Sequence, residues 1–410
     1  MKKNWFSQQR VIGVAGLALA LALMFEGCKS DTTPSLYDPS APNKPAPVID
    51  TIISATPNAY AGVTMLTLKG QNFSTKNDEN RVFFGSTLVN VFTSSATQLT
   101  MRAPILPKDT LVSVKVNVVS AQLFSNAKLF KLTLAVRDFD SLKFGEEPWS
   151  TAVDAAGNFY VSIVAGGVGA GVKKFALDGR RSDFAPRKFE TKYTSLRFSP
   201  TGVLYGAWNI QALVQFPGGN ADPALWVTLS SGQIYDFDFD AQGNIWAAGY
   251  NTSIYRITSS KSIKSFPLDA NIRSVRINNG YVYLAGKTFP DSLEKIIRYK
   301  IISSDSLGSQ EVIYNFSASS FNAGSNSMYS IAFTSQGDLF VGTDRSESIL
   351  IVHPDGTAEE FYTGLLPPTM HVLAWGKGTE LLGVRGTASG GGVSASSKIV
   401  RINTQVTGAP

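Results

Sequence analysis

The segment Phe237-Asp-Phe-Asp-Ala-Gln-Gly243-Asn-Ile-Trp246 has the pattern of two short strands joined by a turn. Before the turn, aromatic residues alternate with aspartates, and a period of two residues is that of a β-strand. Glycine at the end of the turn supplies the left-handed backbone conformation that a hairpin needs. The segment therefore predicts a β-hairpin with one buried face.

Five further segments repeat this pattern of alternating strand, turn ending in glycine and second apolar strand. They run over 152–161, 196–205, 275–283, 331–340 and 372–381. The six turn glycines, Gly157, Gly202, Gly243, Gly280, Gly337 and Gly378, are 37 to 57 residues apart. Repeats of roughly 40–50 residues with several strands each are typical of β-propellers. Six repeats therefore predict a six-bladed β-propeller over residues 135–410.

The last repeat ends soon after its third strand, Ile399-Val-Arg-Ile402, so its blade lacks an outer strand. An unpaired outer edge would invite aggregation. We expect residues 132–144, which directly precede the first repeat, to supply the missing strand and close the ring.

Residues 48–134 contain shorter alternating segments, exemplified by Val112-Ser-Val-Lys-Val-Asn-Val118. Because turn residues separate them, these segments predict a small β-sandwich of about seven strands. Gly70 is expected to take a positive φ in a tight turn, and Phe73 to fill the core. The fold class is therefore all-β, with a sandwich followed by a propeller.

Both regions resemble known families. The segments Pro47-Val-Ile-Asp-Thr-Ile52, 62–73, Val82-Phe-Phe-Gly85 and Ala103-Pro104 resemble the IPT/TIG family of immunoglobulin-like domains in order and spacing. That resemblance implies a spacer or docking module, since this is the family's usual role in bacterial surface proteins. Residues 135–410 resemble NHL/SMP-30-like six-bladed propellers, a scaffold that carries many unrelated functions.

The amino terminus predicts export. Lys2, Lys3 and Arg10 precede an apolar run over 11–25, which is the layout of a signal peptide. As a helix, such a run would span only about 22 Å, too little for the roughly 30 Å hydrocarbon core. The only cysteine, Cys28, follows the run directly.

Gly27-Cys28 resembles the lipobox of bacterial lipoproteins, although Phe25 and Glu26 depart from the usual pair before it. The resemblance implies removal of the signal peptide, residues 1–27, and attachment to the membrane through a lipid on Cys28. Lys29-Ser-Asp31 is similar to the export signals of Bacteroidetes surface lipoproteins. We therefore expect an outer-membrane lipoprotein that faces the cell surface or the periplasm.

Residues 28–47 are rich in Pro, Ser and Thr and predict a tether. Extended backbone at about 3.1 Å per residue would reach up to roughly 60 Å from the membrane. The formal net charge of +6 is spread along the chain, so nucleic-acid binding is not expected. A single cysteine excludes an intramolecular disulfide and a cysteine-rich zinc site.

Ligand sites of such propellers gather where the inner strands begin and the second-to-third-strand loops open. The side chains expected there are aromatic, amide or charged, a combination that suits sugars or peptides. The candidate binding residues are Glu147, Trp149, Tyr193, Trp208, Asn209, Tyr235, Asp236, Tyr250, Asn251, Arg273, Tyr329, Asp344, Arg345, His371 and Arg385. No metal or other cofactor is predicted.

Three functions remain open from the sequence. The first is noncatalytic recognition of a glycan, peptide or partner protein at the cell surface. The second is a metal-dependent lactonase or a lyase, because Glu146-Glu147-Pro148-Trp149 resembles the start of the SMP-30-like enzymes, with Glu147 near their metal-binding glutamate. The matching asparagine and aspartate segments are missing, and His371 has no assignable partner for general-base chemistry. The third is a structural subunit of an outer-membrane complex.

Overall fold

The computed structural model describes residues 43–139, 141–188, 192–208, 211–250, 253–322, 324–366, 368–386 and 398–409. Strands dominate this part of the chain, and the only helical elements in it are two 3₁₀ turns, Asn77–Glu79 and Phe316–Ala318. The predicted all-β class is confirmed.

The amino-terminal domain is a sandwich of two sheets. Its strands are β1 (Val48–Ser54), β2 (Tyr60–Ala61), β3 (Met65–Gln71), β4 (Asn80–Phe84), β5 (Thr87–Val89), β6 (Val91–Ser94), β7 (Gln98–Arg102), β8 (Thr110–Val118) and β9 (Lys128–Leu134). One sheet has the order β1-β3-β7-β6 and the other β2-β9-β8-β4-β5. The sequence predicted about seven strands, because two- and three-residue strands such as β2 and β5 are too short to show alternation.

Alternation places one side of each sandwich strand in the core. Leu66 pairs with Met101 and Leu68 with Leu99 across β3 and β7, and all four side chains are buried. Phe73 fills the same core, as expected. Gly70 does not take the expected positive φ; Asn72 does, at 61°. Glycine is needed at position 70 because a Cβ there would lie 1.9 Å from the backbone oxygen of Val48.

The remaining strands form six four-stranded antiparallel sheets, the blades of a propeller. Blade 1 contains β11 (Glu146–Val153), β12 (Phe159–Ala165), β13 (Val168–Phe175) and β14 (Arg181–Ala185). Blade 2 contains β15 (Tyr193–Phe198), β16 (Leu204–Trp208), β17 (Ala212–Phe216) and β18 (Ala224–Thr228). Blade 3 contains β19 (Asp236–Phe239), β20 (Ile245–Ala248), β21 (Ser253–Ile257) and β22 (Ile263–Pro267).

Blade 4 contains β23 (Ala270–Asn278), β24 (Tyr281–Thr288), β25 (Leu293–Ser303) and β26 (Ser306–Asn315). Blade 5 contains β27 (Met328–Phe333), β28 (Leu339–Thr343), β29 (Ile349–Val352) and β30 (Ala358–Glu360). Blade 6 consists of β31 (Met370–Trp375), β32 (Glu380–Arg385), β33 (Lys398–Asn403) and β10 (Val136–Asp138). The long spacing between the fourth and fifth turn glycines arises from β25 and β26, which have 11 and 10 residues.

The hairpins between first and second strands turn as the sequence predicted. All six turn glycines have positive φ, between 67° at Gly378 and 95° at Gly337. A side chain with a Cβ rarely adopts this conformation, so glycine fixes the tight turn.

The ring is closed by a strand from before the first blade, which confirms the expected closure. Val136 pairs with Ile402 and Asp138 with Val400, and the backbone N–H of Phe139 donates to the carbonyl of Ile399 at 2.8 Å. The Phe139 ring lies 4.8 Å from that of Phe159 in blade 1. Phe139 therefore joins the closing strand of blade 6 to the core of blade 1.

Replacing Phe139 with alanine should lower the free energy of unfolding by about 3–5 kcal/mol, because it leaves a cavity between the first and last blades. Phe139 is 9% exposed, whereas the nearby Phe144 is fully exposed. The Phe144→Ala variant is therefore the matched control and should change stability by no more than about 0.5 kcal/mol. Urea denaturation checks both values, and equal stability of the two variants would contradict this role of Phe139.

Candidate functional site

The six first strands, β11, β15, β19, β23, β27 and β31, contact one another in sequence around the centre of the ring. We call the end of the central channel where these strands begin the upper end. The end where they turn at the six glycines is the lower end. Most residues predicted to bind a ligand belong to the upper end.

A β-bulge interrupts five of the six inner strands just after they begin. The register shifts skip Trp149, Thr194, Arg273, Tyr329 and His371. Tyr235 directly precedes Asp236, the first residue of β19, and its N–H donates to the carbonyl of Ala248. A bulge re-aims the side chain of the extra residue. We call these six residues the bulge row.

Four members of the bulge row take part in three contacts with aromatic rings at the upper end. The Arg273 guanidinium lies 5.4 Å from the centre of the Tyr329 ring, and that ring lies 5.0 Å from the ring of His371. On the neighbouring blade, Tyr235 packs 5.3 Å from Tyr250. The sequence predicted all five of these residues, and the structure brings them together in two groups, one of three residues and one of two, which we call the aromatic and cationic surface of the upper end.

Arg273 is fixed in place by its neighbours. Its Nε donates to the carbonyl of Met328 at 2.6 Å, and its Nη2 donates to the carboxylate of Glu294. Glu294 is 7% exposed, so the pair is largely removed from water. The guanidinium therefore bridges blades 4 and 5 while one side of it covers Tyr329. Glu294 was not among the predicted site residues, because its strand shows no distinctive motif.

Burial keeps the phenols of this surface protonated. It raises the pKa of Tyr235 and of Tyr250 above the ordinary value. Burial and the nearby Asp344 carboxylate raise the pKa of Tyr329 to about 12, although Arg273 opposes the shift. Asp344 itself accepts hydrogen bonds from the Nδ2 of Asn326 at 3.0 Å and from a backbone N–H. At neutral pH the phenols are therefore hydroxyl donors.

Trp149 forms a second aromatic position on this end of blade 1. The Lys192 ammonium lies 3.4 Å from the centre of its ring, and burial lowers the pKa of that lysine. The indole Nε1 is buried and has no hydrogen-bond partner among the described residues. Lys192 was missed because a lone lysine before a strand carries no sequence signal.

The other predicted residues lie apart from these contacts. Glu147 pairs with Val164 inside blade 1. Tyr193 is buried and Trp208 half-buried in the core between blades 1 and 2. The Nη2 of Arg345 donates to Glu360 at 2.6 Å. Arg385 faces Asp138 of the closing strand at 3.8 Å. Cys28, Asn209 and Asn251 lie outside the described residues.

Asp236 lies one position below the bulge row, where blades 1, 2, 4 and 5 carry Ser150, Ser195, Ser274 and Ser330. Its carboxylate accepts hydrogen bonds from the hydroxyls of Ser195 and Ser274 and from the Nη1 of Arg276 at 2.7 Å. Burial opposes ionisation, but Arg197 and Arg276 outweigh it and hold the pKa of Asp236 below its ordinary value. Asp236 therefore ties three blades together.

The serines connect the other blades in the same way. The Ser150 hydroxyl donates to the carbonyl of Tyr193 at 2.7 Å. The hydroxyls of Ser274 and Ser330 accept the backbone N–H groups of Ile331 and Leu373. Only Val372, the corresponding residue of blade 6, has no hydrogen-bonding side chain. These bonds fix the inner strands and so hold the bulge row in a rigid ring.

Groups that could bind a metal ion are absent from the described part of the chain, where no three His, Cys, Asp or Glu side chains come together suitably. Glu147, near the metal-binding glutamate of the SMP-30-like enzymes in the sequence, lies on β11 opposite Val164, whereas the carboxylate of Asp236 is engaged by Ser195, Ser274 and Arg276. Across the same residues, no helix has the length and apolar character needed to span a membrane.

Comparison with known proteins supports the fold. Residues 47–132 match the family model of the IPT/TIG domain. The chain is similar to a putative phosphatase from Bacteroides thetaiotaomicron at 10% identity and a TM-score of 0.55, with 89% of this chain and 98% of that chain covered. It is also similar to a luciferin-regenerating enzyme at 14% identity and a TM-score of 0.52, with 67% and 97% covered.

An auxiliary nutrient binding protein from Bacteroides thetaiotaomicron matches at 10% identity and a TM-score of 0.48, with 88% of this chain and 98% of that chain covered. Among the curated proteins, none matches the sequence. The similarity to the putative phosphatase and to the luciferin-regenerating enzyme supports the fold and carries no function across.

The Asp236→Asn variant should lower the free energy of unfolding by about 3–5 kcal/mol, because it removes the charge that Arg276 and Arg197 face. The Asp238→Asn variant is the matched control. Among the described residues, the carboxylate of Asp238 accepts hydrogen bonds only from the backbone N–H groups of Phe239 and Ile277, so its loss should cost about 1 kcal/mol or less. Urea denaturation measures both, and equal losses would contradict the structural role of Asp236.

Proposed function

We propose that this chain is a noncatalytic binding protein and that the upper end of its propeller channel recognises a glycan. The observation that carries the proposal is the bulge row, which directs Trp149, Tyr235, Arg273, Tyr329 and His371 toward one end of the channel. All five side chains are half-buried, so each keeps a surface that a ligand can contact.

The chemistry of this surface fits a sugar. Aromatic rings stack on the apolar faces of pyranose rings, while hydroxyl and guanidinium groups bind sugar hydroxyls. The phenols of Tyr235 and Tyr329 remain protonated at neutral pH, as their raised pKa values require. The ligand we propose is neutral, because Glu294 already compensates the charge of Arg273.

The rigidity of the site supports binding without a moving lid. Each member of the bulge row is attached to an inner strand, and hydrogen bonds of Asp236 and the serines hold neighbouring strands together. A site that is already ordered loses little conformational entropy when a ligand binds. Rigid positioning of side chains from several blades would then set the specificity.

Catalysis is the weaker candidate. The carboxylate of Asp236 is engaged by Arg276, Ser195 and Ser274. A carboxylate held in this way cannot act as a base toward a ligand without breaking the interblade contacts.

We also propose that Cys28 carries a lipid and that the protein is attached to the outer membrane. The tether and the IPT/TIG sandwich would then act as spacers that hold the propeller away from the bilayer. Peptide and protein ligands at the upper end, or a structural role in an outer-membrane complex, are the alternatives that the binding experiment distinguishes.

A glycan array probed with the full chain in nonionic detergent tests the binding proposal. We expect retention of neutral oligosaccharides, and we expect Tyr329→Leu to weaken it at least about tenfold. Tyr281→Leu is the matched control, because Tyr281 is also half-buried beneath an arginine, with Arg298 4.3 Å from its ring centre, but it lies at the lower end. Absence of sugar binding, or equal losses in both variants, would contradict the proposal.

Metabolic labelling with radioactive palmitate tests the anchor. The unaltered chain should incorporate label and fractionate with the outer membrane, whereas Cys28→Ala should do neither, because the sequence contains no other cysteine. The Cys28→Ser variant, which keeps the size of the side chain, serves as a second check. Labelling that persists in both variants would refute a lipid on Cys28.

A further inference from the structure

The lower end of the channel contains a cavity of about 210 Å³ that is separate from the bulge row. All six inner strands contribute to its wall near the points where they turn. The lining residues are Ala152, Val153, Arg197, Phe198, Asp238, Arg276, Ile277, Ala332, Phe333, Leu373, Ala374, Trp375 and Ala409. The cavity therefore lies on the axis of the propeller, where no side chain of the hairpins fills it.

The wall of this cavity is divided into two halves of different chemistry. Among the described residues, the charged groups of the wall come from blades 2, 3 and 4 and are Arg197, Asp238 and Arg276. Blades 5, 6 and 1 contribute apolar side chains, of which Phe333 and Trp375 are the largest. A ligand that fits both halves must carry a charged group at one end and an apolar body at the other.

The arginines of the polar half have a single carboxylate in direct contact within the described part of the chain. Arg276 and Arg197 share that of Asp236, at 2.7 and 3.4 Å. Their side chains are only 11% and 14% exposed, respectively. Removal of a charge from water is costly unless it is paired, so a second carboxylate in direct contact would stabilise both guanidinium groups.

Several N–H groups of these arginines remain available toward the cavity. The Nη1 of Arg276 donates to Asp236 and to the carbonyl of Val275. Arg197 uses Nη1 for the carbonyl of Leu196 and Nη2 for Asp236. Within the described residues, Nε and Nη2 of Arg276 and Nε of Arg197 make no hydrogen bond. These three nitrogens are suited to a planar carboxylate, which guanidinium groups bind through paired hydrogen bonds.

Asp238 acts on these arginines without direct contact. Its two oxygens accept the backbone N–H groups of Phe239 and Ile277, and it forms no ion pair with either arginine in the described part of the chain. Burial raises the pKa of Asp238 above its ordinary value, although both arginines oppose the shift.

The carboxyl-terminal segment closes one side of the cavity. After β33 the chain crosses to blade 5, where the N–H of Ala409 donates to the carbonyl of Phe333 at 2.9 Å and the N–H of Ser335 donates to Thr407. Gly408 passes directly beneath Trp375, since a Cβ there would lie 2.1 Å from the indole ring. This crossing keeps Trp375 against the apolar half of the cavity.

We propose that the lower cavity binds a small carboxylic acid with a compact apolar body, its carboxylate on Arg197 and Arg276 and its body against Phe333 and Trp375. The volume is below the roughly 300–1,000 Å³ of pockets for drug-sized ligands. The ligand is therefore a small monocarboxylate of the size of an arylacetate. This site is independent of the glycan site at the upper end.

Fluorine NMR with 4-fluorophenylacetate as the probe tests this proposal on the full chain in nonionic detergent. The neutral 4-fluorophenylacetamide has the same shape and is the matched ligand control. We expect the acid to bind at least about tenfold more tightly than the amide. The Arg197→Gln variant should abolish that preference, whereas Arg180→Gln should preserve it, because Arg180 is exposed at 85% of its side chain.

A second variant keeps the test decisive if Arg197→Gln fails to fold. The Ala374→Leu variant retains both arginines and fills part of the apolar half, so it should weaken binding of acid and amide alike. Tyr329→Leu, at the upper end, should leave binding of the acid unchanged even if it abolishes glycan binding. Equal affinity for acid and amide, absence of acid binding, or an unaltered preference in Arg197→Gln would overturn the proposal.

Discussion

Closure of the ring is the constraint on which the rest of the structure depends. Five of the six junctions between blades are fixed by hydrogen bonds that Asp236 or a serine makes to the neighbouring inner strand. The sixth junction has Val372 at the equivalent position and depends instead on β10, whose pairing with β33 leads directly into Phe139 and the core of blade 1. A ring that did not close would leave two free sheet edges and splay the inner strands.

The closed ring places different chemistry at the two ends of one channel. Bulges at the upper end carry aromatic and cationic side chains, while strands at the lower end place Arg197, Asp238 and Arg276 on the wall of the cavity. Asp236 lies between the two ends of the channel. Its carboxylate pairs with the arginines of the lower end, and its hydrogen bond to Ser274 joins the strands that carry Tyr235 and Arg273 at the upper end. The same buried carboxylate therefore contributes to the geometry of both ends.

The sequence predicted the parts of this architecture that local pattern determines. Glycine after an alternating segment predicted all six hairpins. The absence of an outer strand from the last repeat predicted that residues just before the first repeat, where β10 lies, would complete the last blade. The bulges could not be predicted, because a shift by one residue depends on pairing between strands. Asp236 was predicted to face a ligand, because its partners lie on other strands and local sequence does not reveal them. These partners, Ser195 and Arg276, are about 40 residues away in either direction along the chain. Gly70 was misjudged because close approach to Val48 is a tertiary contact that local sequence does not reveal.

The bulge row is the surface that we propose binds the ligand. Hydrogen–deuterium exchange of the full chain, measured with and without the oligosaccharide that is best retained on the array, tests this proposal. We expect slower exchange at the first residues of β11, β19, β23, β27 and β31, with no change in the sandwich or in the lower hairpins. Protection confined to the sandwich, to the outer strands or to the lower end would refute the proposal.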